Sequence, residues 1–319
     1  MAKVLITGGS GFLGQHLAEK LKADHEVIIT SRNQKQLLGA AHSLKVEAVP
    51  LDVSNYAATI EIFQRFKPEI VVHAAATKFV DIAEKYPNEA IDINIVGSQN
   101  VARAAMETKV SYVVGISTDK AAAPIFNLYG MTKAIMERLY SSLDGVTDTR
   151  FSSVRYGNVA WSTGSVFPIW NKMLKETNHI TTTGPEMSRY FFSVIEAVEL
   201  VSAAINNRDL VAGKILSLPM KGTEIKKILD VWTKLVGATW SMGERRQGDR
   251  DLEYLISESE GENTIKIQVE GEDYFLLDLK TTSANPNGLG THYSSRNAVQ
   301  YTDIEIENLI TNPPSDRFM

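Results

Sequence analysis

The sequence predicts an α/β fold, a doubly wound parallel sheet followed by a smaller C-terminal lobe. Three observations carry that expectation. Short continuous apolar runs alternate with helix-length amphipathic stretches through the first half, a glycine-rich turn joins the first run to the first helical stretch, and beyond residue 160 the alternation breaks. Strands covered on both faces by crossover helices read as unbroken apolar runs, which distinguishes them from the alternating pattern of a half-exposed sheet.

Taken in order, the runs "KVLIT", "HEVIIT", "KVEAVPLDV", "EIVVHAA" and "SYVVGIST" are the first five predicted strands. Between them Leu13, Leu17 and Leu21 recur every fourth residue, and Ile60, Phe63 and Phe66 fall on one helical face, as crossover helices require. A long helix is predicted over 88–107 and another over "YGMTKAIMERLYSSL", with "RFSSVRYGNV" as the sixth strand. This divides the chain into a dinucleotide-binding unit over 1–160 and, over 161–319, a mainly substrate-binding lobe with segments returning to the core. The late apolar run "YFLLDL" stands alone in a Ser-, Gly- and Asn-rich stretch.

Composition narrows the function. The 319 residues carry a formal net charge of −5, with no basic excess of the kind that attracts nucleic acid or anionic lipid. No apolar run reaches the roughly 18 residues of a membrane span, and the N-terminus enters a strand directly, so a cytoplasmic protein without nucleic-acid or membrane partners is expected. With no cysteine, disulfides, thiolate metal sites and a thiol nucleophile are excluded. No metal site is expected, and the chemistry falls to oxygen, nitrogen or a bound cofactor.

The turn "ITGGSGFLGQHL" spaces glycines at 8, 11 and 14 between a strand and a helix. Gly8 suits the tight turn, Gly11 the approach of backbone to a pyrophosphate, and Gly14 close packing of helix on strand. Ser10, Phe12, Val53 and Ala74, Ala75 and Ala76 complete the expected cofactor path. The second strand ends "TSRNQKQ", where Ser31, Arg32 and Lys35 favour a 2′-phosphate and no carboxylate repels it. NADP is therefore expected over NAD, against the plainer reading of a solvated basic loop. Asp52 either accepts the adenine amino group or caps the next helix.

In "STDKAAAPIFNLYGMTK", residues 117–133, Tyr129 and Lys133 stand i and i+4 on a predicted helix. A cation beside the phenol lowers its pKa from about 10 and lets tyrosine act as a base. Ser117 or Thr118 is placed to hydrogen-bond the hydroxyl being oxidised. Asp119 and Lys120 are read either as further acid/base groups or as a structural ion pair.

These residues, with "SRNQKQ", "HAAATKFVDIAEKYPNEAIDINIVGSQNV", "VRYGNVAWSTGSVFP", "ITTTGPEMSRYFFSVIEAVELV", "RRQGDRDLEYLISESE" and "YSSRNAVQYTDIEIENLI", resemble the extended short-chain dehydrogenases/reductases. Within them the chain is most similar to the configuration-inverting UDP-N-acetylglucosamine 4,6-dehydratases of polysaccharide biosynthesis. The resemblance implies a Rossmann-like fold, tightly bound NADP, a UDP-sugar substrate and a homo-oligomer, from dimer to hexamer. It also implies that carbon 4 of the hexose is oxidised, water is eliminated across carbons 5 and 6, and the hydride returns to carbon 6. By matching motif, Tyr129 takes the carbon 4 hydroxyl proton with Lys133 in support, Lys120 takes the carbon 5 proton, and Asp119 protonates the departing hydroxyl.

Lys78, Asn158, Arg189, Arg246 and Arg250 are the candidates for binding the nucleotide sugar. Asn158 is alternatively a turn residue, Met187 and His73 read as structural, and Glu84 either shapes the pocket or lies exposed on a helix. The segment from Lys120 to Tyr129 is one residue longer than the resembled pattern. Phe79 and Leu252 replace histidines, Thr163 an arginine and Trp161 a small residue. The alternatives are a nucleotide-sugar 4-epimerase or an NADP-dependent keto-sugar reductase using the same Tyr129 and Lys133, or a non-catalytic NADP-binding regulator.

Overall fold

The computed structural model describes residues 1–244, 248–281 and 283–314. The first half alternates as expected: β1 (Lys3–Thr7), α1 (Phe12–Leu21), β2 (Glu26–Ser31), α2 (Gln34–Leu44), β3 (Glu47–Pro50), α3 (Tyr56–Phe66), β4 (Ile70–His73), α4 (Val80–Lys85), α5 (Pro87–Ile91), α6 (Gly97–Glu107), β5 (Tyr112–Ile116), α7 (Leu128–Leu143) and β6 (Arg150–Arg155). The second half adds β7 (Asn158–Val159), α8 (Val166–Thr177), β8 (His179–Thr182), β9 (Ser188–Phe192), α9 (Val194–Asn206), α10 (Arg208–Val211), β10 (Ile215–Ser217), β11 (Gly222–Glu224), α11 (Ile225–Val236), β12 (Thr239–Met242), β13 (Tyr254–Ile256), β14 (Thr264–Val269), β15 (Glu272–Leu277), β16 (Tyr293–Ser294) and α12 (Asp303–Thr311).

Nine strands form the main sheet in the order β14-β15-β10-β6-β5-β4-β1-β2-β3. It is parallel from β3 to β10, and β15 and β14 close it antiparallel. The chain winds outward from β1 to β3 and then crosses back to β4, so β1 and β4 are neighbours, with Thr7 opposite His73. Such a switch point opens a crevice at the carboxyl ends of the strands, where ligands of α/β sheets bind. The solitary "YFLLDL" run is largely β15, whose Phe275, Leu276 and Leu277 pair with β10 in this sheet.

Local details depart from the expected pattern. The helix over 88–107 contains a π-helical segment, Asp92–Val96, between α5 and α6. On α3 the buried face is Thr59, Ile62 and Phe63, with Ile60 and Phe66 only partly buried, and the helix packs mainly against α6. The predicted sixth strand divides at Tyr156–Gly157, and its end, β7, leaves the main sheet to pair with β9. Trp161 accounts for its own unusual size: with Phe167, Trp170 and Trp232 it forms the aromatic core of the lobe, and its indole N–H donates to the Leu309 carbonyl at 2.7 Å.

Beneath the site Arg155 is fully buried between two carboxylates, 2.7 Å from Glu137 on α7 and 2.9 Å from Glu260 in the turn Glu258–Asn263. This triad ties α7 to β6 and to the C-terminal segment. Removing one member of such a buried group leaves the others uncompensated, which is why it fixes α7 firmly.

Candidate active site

The glycine turn is built for close approach. Gly8 has φ +69°, and a Cβ there would sit 2.8 Å from the Ala75 amide nitrogen and 2.9 Å from the Ala74 carbonyl. A Cβ on Gly14 would meet the Gly8 carbonyl and Gly9 Cα at 2.6 Å. Gly11 precedes α1 without a side-chain cap, which leaves N–H groups at the helix start for an anion. Ser10 and Phe12 are buried in the same turn, and Ala74 and Ala75 face it from the end of β4, with Ala76 next in the chain. The donor set and the bare backbone fit a dinucleotide pyrophosphate.

The adenosine end differs from expectation in one respect. Ser31 closes β2 and Arg32 follows it, but the Arg32 guanidinium lies 3.5 Å from Glu89 on α5, both side chains half exposed. A carboxylate does reach this loop, from an element 57 residues away in the sequence. Asp52 accepts hydrogen bonds from the Ser54 amide and hydroxyl at 3.0 and 2.7 Å, while Asn55 caps α3, so Asp52 is not the helix cap. Val53 is buried beside it, its carbonyl held by the Asn100 amide at 2.9 Å. His73 is structural: it is buried between the Thr7 and Ser98 hydroxyls, and burial, with the Lys133 charge adding to it, lowers its pKa to about 3.

At the end of β5 the chain brings the reactive groups together. Thr118 caps the short turn Asp119–Ala121, and its hydroxyl donates to the Asp119 carboxylate at 3.0 Å. Lys120 Nζ donates to the same carboxylate oxygen at 3.0 Å. Asp119 is fully buried, and its other oxygen has no partner among the described residues. Gly157 makes room for it, since a Cβ there would lie 2.9 Å from that oxygen. The Ser117 hydroxyl is likewise buried without a partner among the described residues.

Tyr129 stands in the first turn of α7 and hydrogen-bonds Thr118. Burial pushes its phenol up to about 12; the Lys120 charge and the Thr118 hydrogen bond oppose the shift, and the Asp119 charge adds to it. This differs from the simple expectation that Lys133 holds the phenol low. Lys133 is buried beneath, its Nζ 3.6 Å from Met136 Sδ. Burial lowers its pKa to about 8, against the pull of Glu137.

The loop between Lys120 and Tyr129 carries Phe126 out into solvent. Register between the two groups is set elsewhere. Gly130 packs directly on the Lys120 carbonyl, where a Cβ would come within 2.2 Å. Asn127 caps α7 through the Gly130 amide at 2.8 Å, and Glu84 accepts from the Leu128 amide at 2.7 Å. Glu84 thus anchors the start of the helix bearing Tyr129 and is neither idle nor simply exposed.

Lys78 donates to the Thr163 carbonyl at 2.8 Å, and Phe79 packs on Gly164, so two adjacent residues of one segment meet two adjacent residues of the other. Asn158 donates to the Tyr190 carbonyl at 3.0 Å. Arg189 is buried against the Ser188 carbonyl and Met187, and Arg250 donates to the Pro124 carbonyl at 2.6 Å. Arg246 lies outside the described residues.

Two residues of the site escaped sequence reasoning. Glu253, 2% exposed, faces Lys120, Arg189 and Arg250; its only local signal is a charge abutting the apolar run of β13. Asn94, in the π-helical segment, binds the Thr77 backbone at 2.8 and 3.0 Å and the Thr132 hydroxyl at 2.9 Å, pinning the loop after β4 to α7. A π-segment often marks a functional site, but it leaves no trace in sequence periodicity.

Among known proteins, residues 4–271 match the family described as polysaccharide biosynthesis protein. The chain is 40% identical over 212 residues to the capsular polysaccharide biosynthesis protein CapD of Staphylococcus aureus, a match covering 63% of this chain and 35% of that relative. It is 30% identical to a UDP-glucose 4-epimerase of Rickettsia felis over 97% of this chain and 95% of that one. The solved structure of Pen from Bacillus thuringiensis superimposes with a TM-score of 0.89 at 28% identity, covering 98% of both chains.

Proposed function

The chain belongs to the polysaccharide biosynthesis protein family of extended short-chain dehydrogenases/reductases, and on that premise we propose that it is a nucleotide-sugar 4,6-dehydratase. The proposed substrate is UDP-N-acetylglucosamine, the product a 4-keto-6-deoxy sugar inverted at carbon 5, the cofactor NADP, and the working form a cytoplasmic homo-oligomer. One observation carries this reading: the buried Asp119 carboxylate and the part-buried Lys120 ammonium form a pair within interaction range of the Tyr129 phenol. Oxidation alone needs one acid/base group, whereas elimination needs a second base and an acid around the same ring.

When bound, an oxidised nicotinamide would supply the hydride acceptor. Tyr129 takes the carbon 4 hydroxyl proton, with Thr118 orienting it. Transfer of the shared proton from Lys120 to Asp119 across their 3.0 Å contact gives an amine and a carboxylic acid. Burial raises the Asp119 pKa against the Lys120 charge, which brings its carboxyl closer to accepting that proton. Lys120 then takes the carbon 5 proton, Asp119 protonates the carbon 6 hydroxyl, and water leaves with the ion pair restored. Ser31 and Arg32 support NADP, while Glu89 weighs against a 2′-phosphate. Lys78, Asn158, Arg189, Arg246 and Arg250 are the proposed nucleotide-sugar ligands, on the chemistry of their side chains.

A second reading, a UDP-sugar 4-epimerase, is favoured by the Rickettsia felis relative, which aligns over nearly the whole chain. It uses Tyr129 and Lys133 but has no task for Asp119 and Lys120. Incubation with UDP-N-acetylglucosamine and NMR of the product separates the two. A carbon 6 methyl group supports the dehydratase; a retained carbon 6 hydroxyl refutes it.

A further inference from the structure

Lys120 is held by two buried carboxylates, and the proposed chemistry uses only one of them. The other, Glu253, places Oε1 3.4 Å from Lys120 Nζ and 3.8 Å from Arg189 Nε, and Oε2 3.2 Å from an Arg250 nitrogen. Its own backbone is clamped. The Glu253 amide donates to the Ser295 hydroxyl at 3.1 Å, the Ser295 amide returns a bond to the Glu253 carbonyl at 2.8 Å, and the Ser295 hydroxyl donates to the Ser188 carbonyl at 3.0 Å. The backbone that carries the carboxylate is therefore fixed. Two guanidinium groups, those of Arg189 and Arg250, lie against it.

We infer that Glu253 is a positioning residue for the elimination: it holds Lys120 against Asp119 and, through its fixed negative charge, retains on that pair the single proton destined for the leaving hydroxyl. The inference deepens the dehydratase reading and rests on it for the step it serves. The pair needs that proton. If it is lost to solvent, Lys120 remains a base but Asp119 has nothing to donate. Burial alone would lower the Lys120 pKa, yet the charges of Asp119 and Glu253 raise it above the usual lysine range, with Arg189 opposing. Glu253 also adds to the raised pKa of Asp119. Among the described residues, the other titratable groups facing this cluster are the phenols of Tyr129 and Tyr190.

The sign follows from the charge. In Glu253→Gln a negative neighbour is lost, the pair releases its proton more readily, and the alkaline limb of the dehydration rate moves to lower pH. A charge at this separation moves a pKa by about 1–3 units. The limb should therefore fall by at least about one unit, while formation of reduced nicotinamide by oxidation at carbon 4 keeps its profile. Glu253→Asp, which keeps the charge, should restore the wild-type limb. A lower rate in Glu253→Gln with the limb unmoved would overturn the inference and leave Glu253 a purely structural residue.

A second measurement does not depend on turnover. In ¹⁵N-lysine-labelled protein, with the Lys120 signal assigned by its loss in Lys120→Met, the Lys120 amino group should titrate at least about one unit lower in Glu253→Gln than in the wild type. An unchanged titration overturns the inference. If the titration shifts but the product keeps its carbon 6 hydroxyl, the control of Lys120 by Glu253 stands and the dehydratase reading fails.

Discussion

Replacing Gly130 by alanine tests how Lys120 and Tyr129 are kept in register. A Cβ on Gly130 would lie 2.2 Å from the Lys120 carbonyl oxygen, 2.9 Å from its carbon and 3.0 Å from Ile125 Cγ2. Carbon and oxygen approach no closer than about 3.3 Å in weak C–H···O contacts, so the turn and α7 must part by roughly 1 Å. Both sides of the gap carry chemistry: the struck atom belongs to Lys120, and Gly130 follows Tyr129. A displacement of that size in reacting groups costs about 10²-fold in rate, or roughly 2.7 kcal/mol. The fold suffers less, because overpacking of about 1–3 kcal/mol is partly offset by a gain of about 1 kcal/mol from alanine in a helix. Product NMR with UDP-N-acetylglucosamine and urea unfolding followed by circular dichroism should show a folded variant with turnover reduced about 10²-fold. Wild-type turnover in a folded Gly130→Ala protein would refute the argument.

Other perturbations separate the remaining parts of the site. Lys133→Met removes a buried ammonium whose pKa falls from 10.5 to about 8. Below pH 8 the wild type bears the full penalty, on the order of 3 kcal/mol, and between 8 and 10.5 its unfolded state binds more protons, so its stability rises with pH relative to the variant. Urea melts should find Lys133→Met the more stable at pH 7, with the gap closing toward pH 10; a variant less stable at pH 7 contradicts this. Glu89→Gln frees Arg32 from a half-exposed pair worth about 0.2–1 kcal/mol, and calorimetric titration should show a few-fold gain for NADP over NAD. An unchanged ratio would mean that Arg32 does not meet the 2′-phosphate. Arg155→Ala leaves Glu137 and Glu260 buried without their cation and should lower unfolding stability by about 3–5 kcal/mol; a loss below about 1 kcal/mol would show that the triad does not anchor α7.

What could be read from the sequence was what local order encodes. The apolar runs and the glycine turn locate β1 to β6 and the cofactor turn after β1, because a strand buried on both faces and a backbone that must approach a phosphate restrict residue type position by position. Thr118, Asp119, Lys120 and Tyr129 lie within twelve residues of one another, so their meeting was visible as spacing. The rest arises through space. Glu253 reaches Lys120 from 133 residues downstream, and Glu89 reaches Arg32 across two βα units. The high proton affinity of the Tyr129 phenol depends on how deeply α7 seats it, which no i, i+4 pattern reports. The π-segment holding Asn94 and the division of the sixth strand at Gly157 depend on packing between elements.

The most direct test of the account is Lys120→Ala, because the central claim divides oxidation from elimination between Tyr129 and the Asp119–Lys120 pair. With NADP-loaded protein and UDP-N-acetylglucosamine, oxidation at carbon 4 should persist as a slow rise in reduced-nicotinamide absorbance, with no 6-deoxy product by NMR. A 6-deoxy sugar formed at the wild-type rate would contradict the claim; so would loss of cofactor binding itself, which would place Lys120 in the service of the dinucleotide or the fold.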